Sequence, residues 1–354
     1  MNFMFQVAHS ENMAKKRIYA LTLVMLIIFV ASRYGAAALT AEEGRAMEKV
    51  SAMQASLWEW LNSSLVRERA AEWAERSGWE DIPPLQVDHR KSGLIGVEWS
   101  EITTTLGVLA LKQETTDPLW AAHILRWLDK AGLTRGDRVM ILASASFPGF
   151  LVSALAAAET RGLQIDLVVS LGSSTWGANR MEAPWPLLEL RLRQAGHLQT
   201  RSRYYTPGGR EETGANYSVD ATDLLEEASA IAEAPFLKPV GLNEVVLMKT
   251  EELLAFRPKL LILIGGSASA TGGSDDILPP GLTLPGTSAP MGRGVAAAAV
   301  ENDIPVLHLL NVRALSQQAQ INMNPLYSIR TIWQAAGLTC FLAALVTHRR
   351  WAWQ

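Results

Sequence analysis

The chain carries one cysteine, Cys340, among 354 residues. That excludes an internal disulfide framework and any zinc or iron–sulfur centre built on several thiolates. Its six histidines, at 9, 89, 123, 197, 308 and 348, are scattered, and none falls in an H-E-x-x-H pattern. No metal site is therefore expected. A G-x-x-x-x-G-K-[ST] phosphate loop is absent, and so is a G-x-S-x-G nucleophile elbow. No cofactor is expected. Basic residues are not in surplus: 32 Lys and Arg against 35 Asp and Glu give a net charge of −3. Nucleic acid is accordingly not an expected partner. No repeat of fixed period is visible.

Apolar bulk is what the chain does have. It is 49% hydrophobic and 19% charged, which suits a buried core and excludes general disorder. The length fits one large α/β unit with appendages, or two compact units. Lys15, Lys16 and Arg17 precede an apolar run of 14 residues, 18–31, broken only by Thr22. A spanning helix wants roughly 20 residues; extension through 32–39 reaches that if Arg33 snorkels to the interface. A cleaved signal peptide shares the basic flank and apolar centre, but Arg33 and Tyr34 suit its cleavage region poorly. A transmembrane anchor over 1–39 is the expectation. A second candidate span, 331–347, leads to Arg349, Arg350, Trp351 and Trp353; a buried or surface terminal helix is its alternative. Residues 1–33 carry +3 and 331–354 carry +2, leaving −8 for 34–330. This bias places the termini in the cytoplasm and an acidic body outside the inner, cytoplasmic membrane.

In the middle, Thr40 and Glu43 form an expected capping box. Met47, Val50, Met53, Leu57, Trp60, Leu61 and Val66 follow near helical spacing, so 40–84 reads as a long amphipathic helical segment ended by Ile82-Pro83-Pro84. Residues 85–116 show no clear pattern. Beyond them helices are expected over 117–131, 148–161, 184–196, 224–234, 243–256 and 292–302. Strands are expected over 138–142, 164–170, 260–264 and 304–309. Strand, small-residue loop, helix, strand is the rhythm of a parallel sheet. The fold class expected for 85–330 is α/β, a parallel sheet with Rossmann-like βα units.

Ligands of such sheets sit beyond the carboxyl ends of the strands. The readable strand ends carry Ser144 and Ser146; Ser173, Ser174 and Asn179; Gly265, Gly266 and Ser267; and His308 and Asn311. Small residues let a ligand reach backbone N–H groups that hold an anion, although they also simply make tight turns. These residues, His308 apart, are the candidate ligand-binding set. Ser146 or Ser174 beside His308 would pair a nucleophile with a base. Three weaker signals remain. Gly292-Arg293-Gly294 with Ala297 has dinucleotide-loop spacing but no strand before it. Arg201, Arg203 and Arg210 around Gly208-Gly209 could hold an anion, with Glu211 and Glu212 opposing them. Asp275-Asp276 could bind calcium or lie solvated.

Several of these motifs together resemble the poly-gamma-glutamate system proteins. These are bacterial membrane-anchored proteins encoded with the ligase-like and membrane components of poly-gamma-glutamate synthesis. The resemblance lies in Gly136-Asp137-Arg138-Val139 through Ser146-Phe147-Pro148, in the run from Ser173 to Asn179, and in Gly208-Gly209. It continues in Gly265 to Ser269 with Gly272, and in Ile304 to His308 through Asn311. It spans 85–325 and the N-terminal anchor. After Gly208-Gly209 an aspartate would be expected nearby, where this chain has Arg210-Glu211-Glu212-Thr213. The resemblance implies a role in making, exporting or processing the polymer, in capsule biosynthesis, with a lipid bilayer and membrane components of a synthase as partners. It assigns no catalytic residue. Three readings follow: an accessory protein that binds a small anion or polymer end, a serine hydrolase or amidase acting on the polymer or a related amide, and a structural partner of a membrane synthase.

Overall fold

The computed structural model describes residues 39–77, 85–273, 277–286 and 293–319, with Tyr19 and 22–24. The chain divides into a unit of Met1–Leu39 with Asn322–Gln354 and a unit of Thr40–Ile321. In the first, Tyr19 and 22–24 are helical. Among the described residues no helix is long and apolar enough to cross a membrane. The expected N-terminal transmembrane helix is therefore unsupported: nearly all of it, and all of the candidate span 331–347, lies outside the described residues. So do Pro83-Pro84, Asp275-Asp276 and Gly292.

The second unit opens with α1 (Ala41–Leu61) and α2 (Ser64–Ser77), followed by β1 (Thr103–Thr105), α3 (Leu109–Thr115) and α4 (Leu119–Lys130). Next come β2 (Arg138–Ser144), α5 (Pro148–Arg161), β3 (Gln164–Ser170) and β4 (Ser173–Ser174). Then follow α6 (Trp185–Gln194), β5 (Tyr204–Thr206), α7 (Val219–Ile231) and α8 (Leu242–Phe256). The unit closes with β6 (Leu260–Ile264), α9 (Ala268–Thr271), β7 (Gly281–Thr283), α10 (Val295–Glu301), β8 (Val306–Leu309) and α11 (Val312–Gln318).

The capping box forms as expected. Thr40 Oγ1 accepts from the Glu43 N–H at 3.1 Å, and Glu43 Oε2 accepts from the Thr40 N–H at 2.7 Å. Behind it Ala46, Val50, Met53, Leu57 and Leu61 make the buried stripe of α1. The single long helix expected here is two. The Asn62 side chain and N–H both turn back onto the Trp58 carbonyl, ending α1 before α2 begins. Nor does α1 stand apart from the sheet domain. It packs on α4 and α5, tied by Arg126–Glu43 at 2.6 Å, Lys49–Glu159 at 2.6 Å and Arg161–Glu42 at 2.7 Å.

The main sheet has strand order β5-β3-β2-β6-β8-β7. The first five strands are parallel, and β7 runs antiparallel to β8 at the edge. Taken in chain order, the parallel strands lie 3-2-1-4-5, a doubly wound arrangement. Alternate residues of these strands reach opposite faces. Val139, Ile141, Val169 and Ile262 join the core under α1, α4 and α5, whereas Met140, Leu142, Val168 and Leu261 pack with Leu253 of α8 and Val295 of α10. Both faces are covered, so these strands read as nearly unbroken aliphatic runs. β1 and β4 form a separate parallel ladder, with Thr103 opposite Ser173 and Thr105 opposite Ser174.

One close approach sets the position of α3. A Cβ added at Gly149, in the first turn of α5, would lie 2.5 Å from the Thr115 carbonyl oxygen and 2.7 Å from Thr115 Oγ1. Gly149→Ala should push α3 away from α5 and cost about 1–3 kcal/mol, the usual range for overpacking. Urea denaturation would show it as a lower midpoint at unchanged slope; an unchanged midpoint would mean that the two helices separate freely.

Candidate functional site: a strand-end cavity

The strand order reverses between β2 and β6. At such a point the loops leaving adjacent strands go to opposite faces and open a crevice. A cavity of about 840 Å³ lies there. Ser144 ends β2, and Ser146 and Phe147 lead into α5. Ser170 ends β3, with Gly172 and Ser174 following. Gly266 and Ser267 follow β6, and Gly208, Gly209 and Glu212 follow β5. The rest of the wall includes 104–108, Lys112 of α3, Asn216, Thr271, Gly273 and Leu310. Thr175 braces that wall: its Oγ1 accepts the Gly107 N–H at 2.6 Å and donates to the Gly107 carbonyl at 2.9 Å.

Of the candidate ligand-binding residues, Ser144, Ser146, Ser174, Gly266 and Ser267 line this cavity. The others do not, and each has a structural task. Ser173 is fully buried and its Oγ donates to main-chain carbonyls, Ala145 at 3.2 Å and Ser174 at 2.9 Å. Asn179 clamps the segment before β1. Its Oδ1 accepts the Val97 N–H at 2.9 Å, and its Nδ2 donates to the Val97 carbonyl at 3.0 Å and to Thr103 Oγ1 at 2.9 Å. Asn311 caps α11, accepting the Ala314 N–H at 3.3 Å. Gly265 has φ +82°, and a Cβ there would stand 2.3 Å from Ser144 Oγ.

His308 does not pair with either serine. It lies within β8 opposite Leu263. Its Nδ1 is 3.0 Å from the Leu278 carbonyl and its Nε2 is 3.3 Å from the Gly265 carbonyl. Burial lowers its pKa against the opposing pull of those two carbonyls. Ser146 Oγ instead accepts the Ser174 N–H at 3.0 Å. The Ser–His pair that the sequence offered as a candidate is thus not formed, and backbone carbonyls surround the imidazole.

The cation that meets a serine is Lys112. Its Nζ lies 2.7 Å from Ser174 Oγ, donates to the Ser146 carbonyl and sits 3.7 Å from the centre of the Phe147 ring. Lys112 is buried and forms no salt bridge among the described residues. Burial brings its pKa down to about 7; the Phe147 ring favours the ammonium and works the other way.

Across the cavity, Glu212 is buried with Lys249 of α8. Its carboxylate accepts from Ser170 Oγ at 2.6 Å, Ser269 Oγ at 2.8 Å and Thr206 Oγ1 at 3.1 Å. Burial alone would raise the pKa, but the Lys249 ammonium and these bonds hold the carboxyl well below the ordinary range. Lys112 and Glu212 are the two charged residues on the cavity wall among the described residues. With Glu212 neutralised by Lys249, no unpaired negative charge among the described residues faces a ligand.

Ser144 completes the site. It lines the cavity, and its Oγ is buried without a hydrogen-bond partner among the described residues. No protein-family model, curated protein or solved structure matches this chain. The cavity therefore has to be read from its own chemistry.

The weaker sequence candidates divide. Arg203 is taken by Asp166 at 2.8 Å and Glu252 at 2.6 Å, and Arg201 by Glu233 at 3.2 Å. The possible arginine anion site is thus internally neutralised at both; the Arg210 side chain lies outside the described residues. No group of three or more His, Cys, Asp and Glu that could hold a metal occurs among the described residues.

Proposed function

We propose that this protein binds the end of an acidic acyl chain in the strand-end cavity, as an accessory component of poly-gamma-glutamate synthesis or export at a bacterial cytoplasmic membrane. The Ser144 hydroxyl carries the binding part of this reading. The buried Ser144 Oγ has no partner among the described residues, and a ligand oxygen that reached it would supply the missing hydrogen bond. Ser146, Ser174 and Ser267 add further hydroxyls, and α5 begins at Pro148 beside the cavity wall. The positive end of a helix favours an acidic or carbonyl oxygen there. Among the described residues the wall carries no unpaired negative charge, which suits an acidic ligand.

The pathway rests on the five motifs that resemble the poly-gamma-glutamate system proteins, three of which supply Ser146, Ser174, Gly266 and Ser267 to the wall. The membrane location rests on the basic flank and apolar run at 15–31.

Titration calorimetry with a γ-linked glutamyl trimer tests the binding. Wild type should bind, and Ser144→Ala should weaken binding about 5- to 20-fold, the equivalent of about 1–2 kcal/mol. Equal affinity in both proteins would remove the cavity from the reading. Deletion of the gene in its host tests the pathway. Polymer should be lost and restored by wild type; full polymer in the deletion strain would sink the assignment.

A further inference from the structure

We propose that Ser174 and Lys112 form a nucleophile–base pair that cleaves an amide or ester bond of an acyl group held in the cavity. This goes beyond binding and rests on the binding reading only for the acidic character of the acyl group. The 2.7 Å between Lys112 Nζ and Ser174 Oγ is hydrogen-bonding distance for proton transfer. Both residues line the cavity, so an acyl carbonyl placed there reaches the hydroxyl. Two further contacts fix the pair. The Ser146 carbonyl holds the amine, and Ser146 Oγ holds the Ser174 N–H at 3.0 Å. The two-residue strand β4, laddered to β1, keeps Ser174 from turning away.

A lysine serves as base only when its amine is neutral. Burial brings Lys112 to about 7, so a large fraction is neutral at physiological pH. Among the described residues no acidic neighbour holds the proton on. Nζ is faced by the Ser146 carbonyl, the Ser174 hydroxyl and the Phe147 ring. Glu114 on its own helix, Glu159 and Arg161 on α5, Arg313 on α11 and Glu212 across the cavity form no ion pair with it. Glu159 and Arg161 pair with Lys49 and Glu42, and Glu212 with Lys249.

The chemistry balances with water as the co-reactant. The neutral Lys112 amine takes the Ser174 hydroxyl proton as Oγ bonds to the carbonyl carbon. The positive end of α5 stabilises the oxyanion that forms. Collapse breaks the bond to the leaving nitrogen or oxygen, which takes the proton from the Lys112 ammonium. An ester on Ser174 remains. Water then gives a proton to Lys112, bonds to the ester carbon and displaces Ser174 Oγ, which recovers its proton from Lys112. The net result is one amide or ester plus water giving acid plus amine or alcohol.

The test uses the full chain with p-nitrophenyl acetate and γ-glutamyl-p-nitroanilide, read by release of chromophore and by intact-protein mass. An acetyl group should appear on Ser174 and be absent from Ser174→Ala. The wild-type rate should rise with pH to a plateau with a midpoint near 7. Lys112→Met should lower the rate about 10²- to 10⁴-fold and flatten that profile. Lys112→Arg, which keeps the positive charge but gives up no proton, should fail to rescue it. Rescue by arginine, acetylation elsewhere with Ser174 unmodified, or a rate that falls as pH rises through 7 would each overturn the proposal. If the lysine variants do not fold, the Ser174 adduct and the wild-type profile still decide. Acetylation of Ser174 without γ-glutamyl binding would uphold the pair and refute the acidic ligand. γ-Glutamyl binding with no turnover of either substrate would refute the pair and leave the binding reading intact.

Discussion

Replacing Lys249 by methionine should destabilise the protein by about 3–5 kcal/mol, the cost of leaving one member of a buried ion pair behind. Lys249 Nζ lies 2.9 Å from Ser269 Oγ, 3.1 Å from Ser170 Oγ and 3.5 Å from Glu212 Oε2. These groups come from α8, β3, the start of α9 and the turn that carries Glu212. The cluster therefore joins four segments of the strand-end face. Without the ammonium, Glu212 must stay charged in a closed site or take up a proton. The double variant Lys249→Met, Glu212→Gln removes both charges and should recover most of the loss. Urea denaturation of the two variants measures this. A double variant as unstable as the single one would mean that the damage is packing and that the charge plays no part.

The same pair fixes a pH dependence. The folded carboxyl of Glu212 is held below its unfolded value of about 4.3. Its contribution is therefore complete above that value and is lost as pH falls through and below the ordinary carboxylate range. Glu212→Gln should flatten the acid limb of the stability profile.

Gly265→Ala should abolish ligand binding at the cavity, a loss of more than about 10-fold, and lower stability by about 1–3 kcal/mol. At φ +82° an alanine is strained, and its Cβ would meet Ser144 Oγ at 2.3 Å. The Ser144 hydroxyl must move, and it is the group that invites a ligand. Calorimetry and melting of the variant read the two effects separately. Unchanged affinity would show that Ser144 has no part in the site.

The parallel sheet was legible because aliphatic runs such as 260–264 need two covered faces, and the small-residue loops marked the strand ends. Short elements escaped. β5 is three residues, β1 three and β4 two, too short for any period to register. The edge strand β7 hid in a Gly/Pro loop. Serines and glycines at strand ends pointed to the cavity, but could not reveal which faced it. Ser173 and Ser174 are adjacent, and one binds backbone while the other meets Lys112. Lys112 itself was hidden in 85–116, because a lone lysine in a short helix looks solvated; only tertiary packing buries it. Glu212 looked like an acidic neighbour opposing the arginines, since its partner Lys249 lies 37 positions away.

Hydrogen–deuterium exchange of the full chain, with and without the γ-linked glutamyl trimer, tests most directly whether the strand-end cavity is where this protein works. Slowed exchange should be confined to the segments that form its wall, 104–112, 144–147, 170–174, 208–216 and 266–268. Protection on the outer helices α1, α4 or α6 with none at these loops would place the ligand elsewhere and contradict the cavity as the functional site.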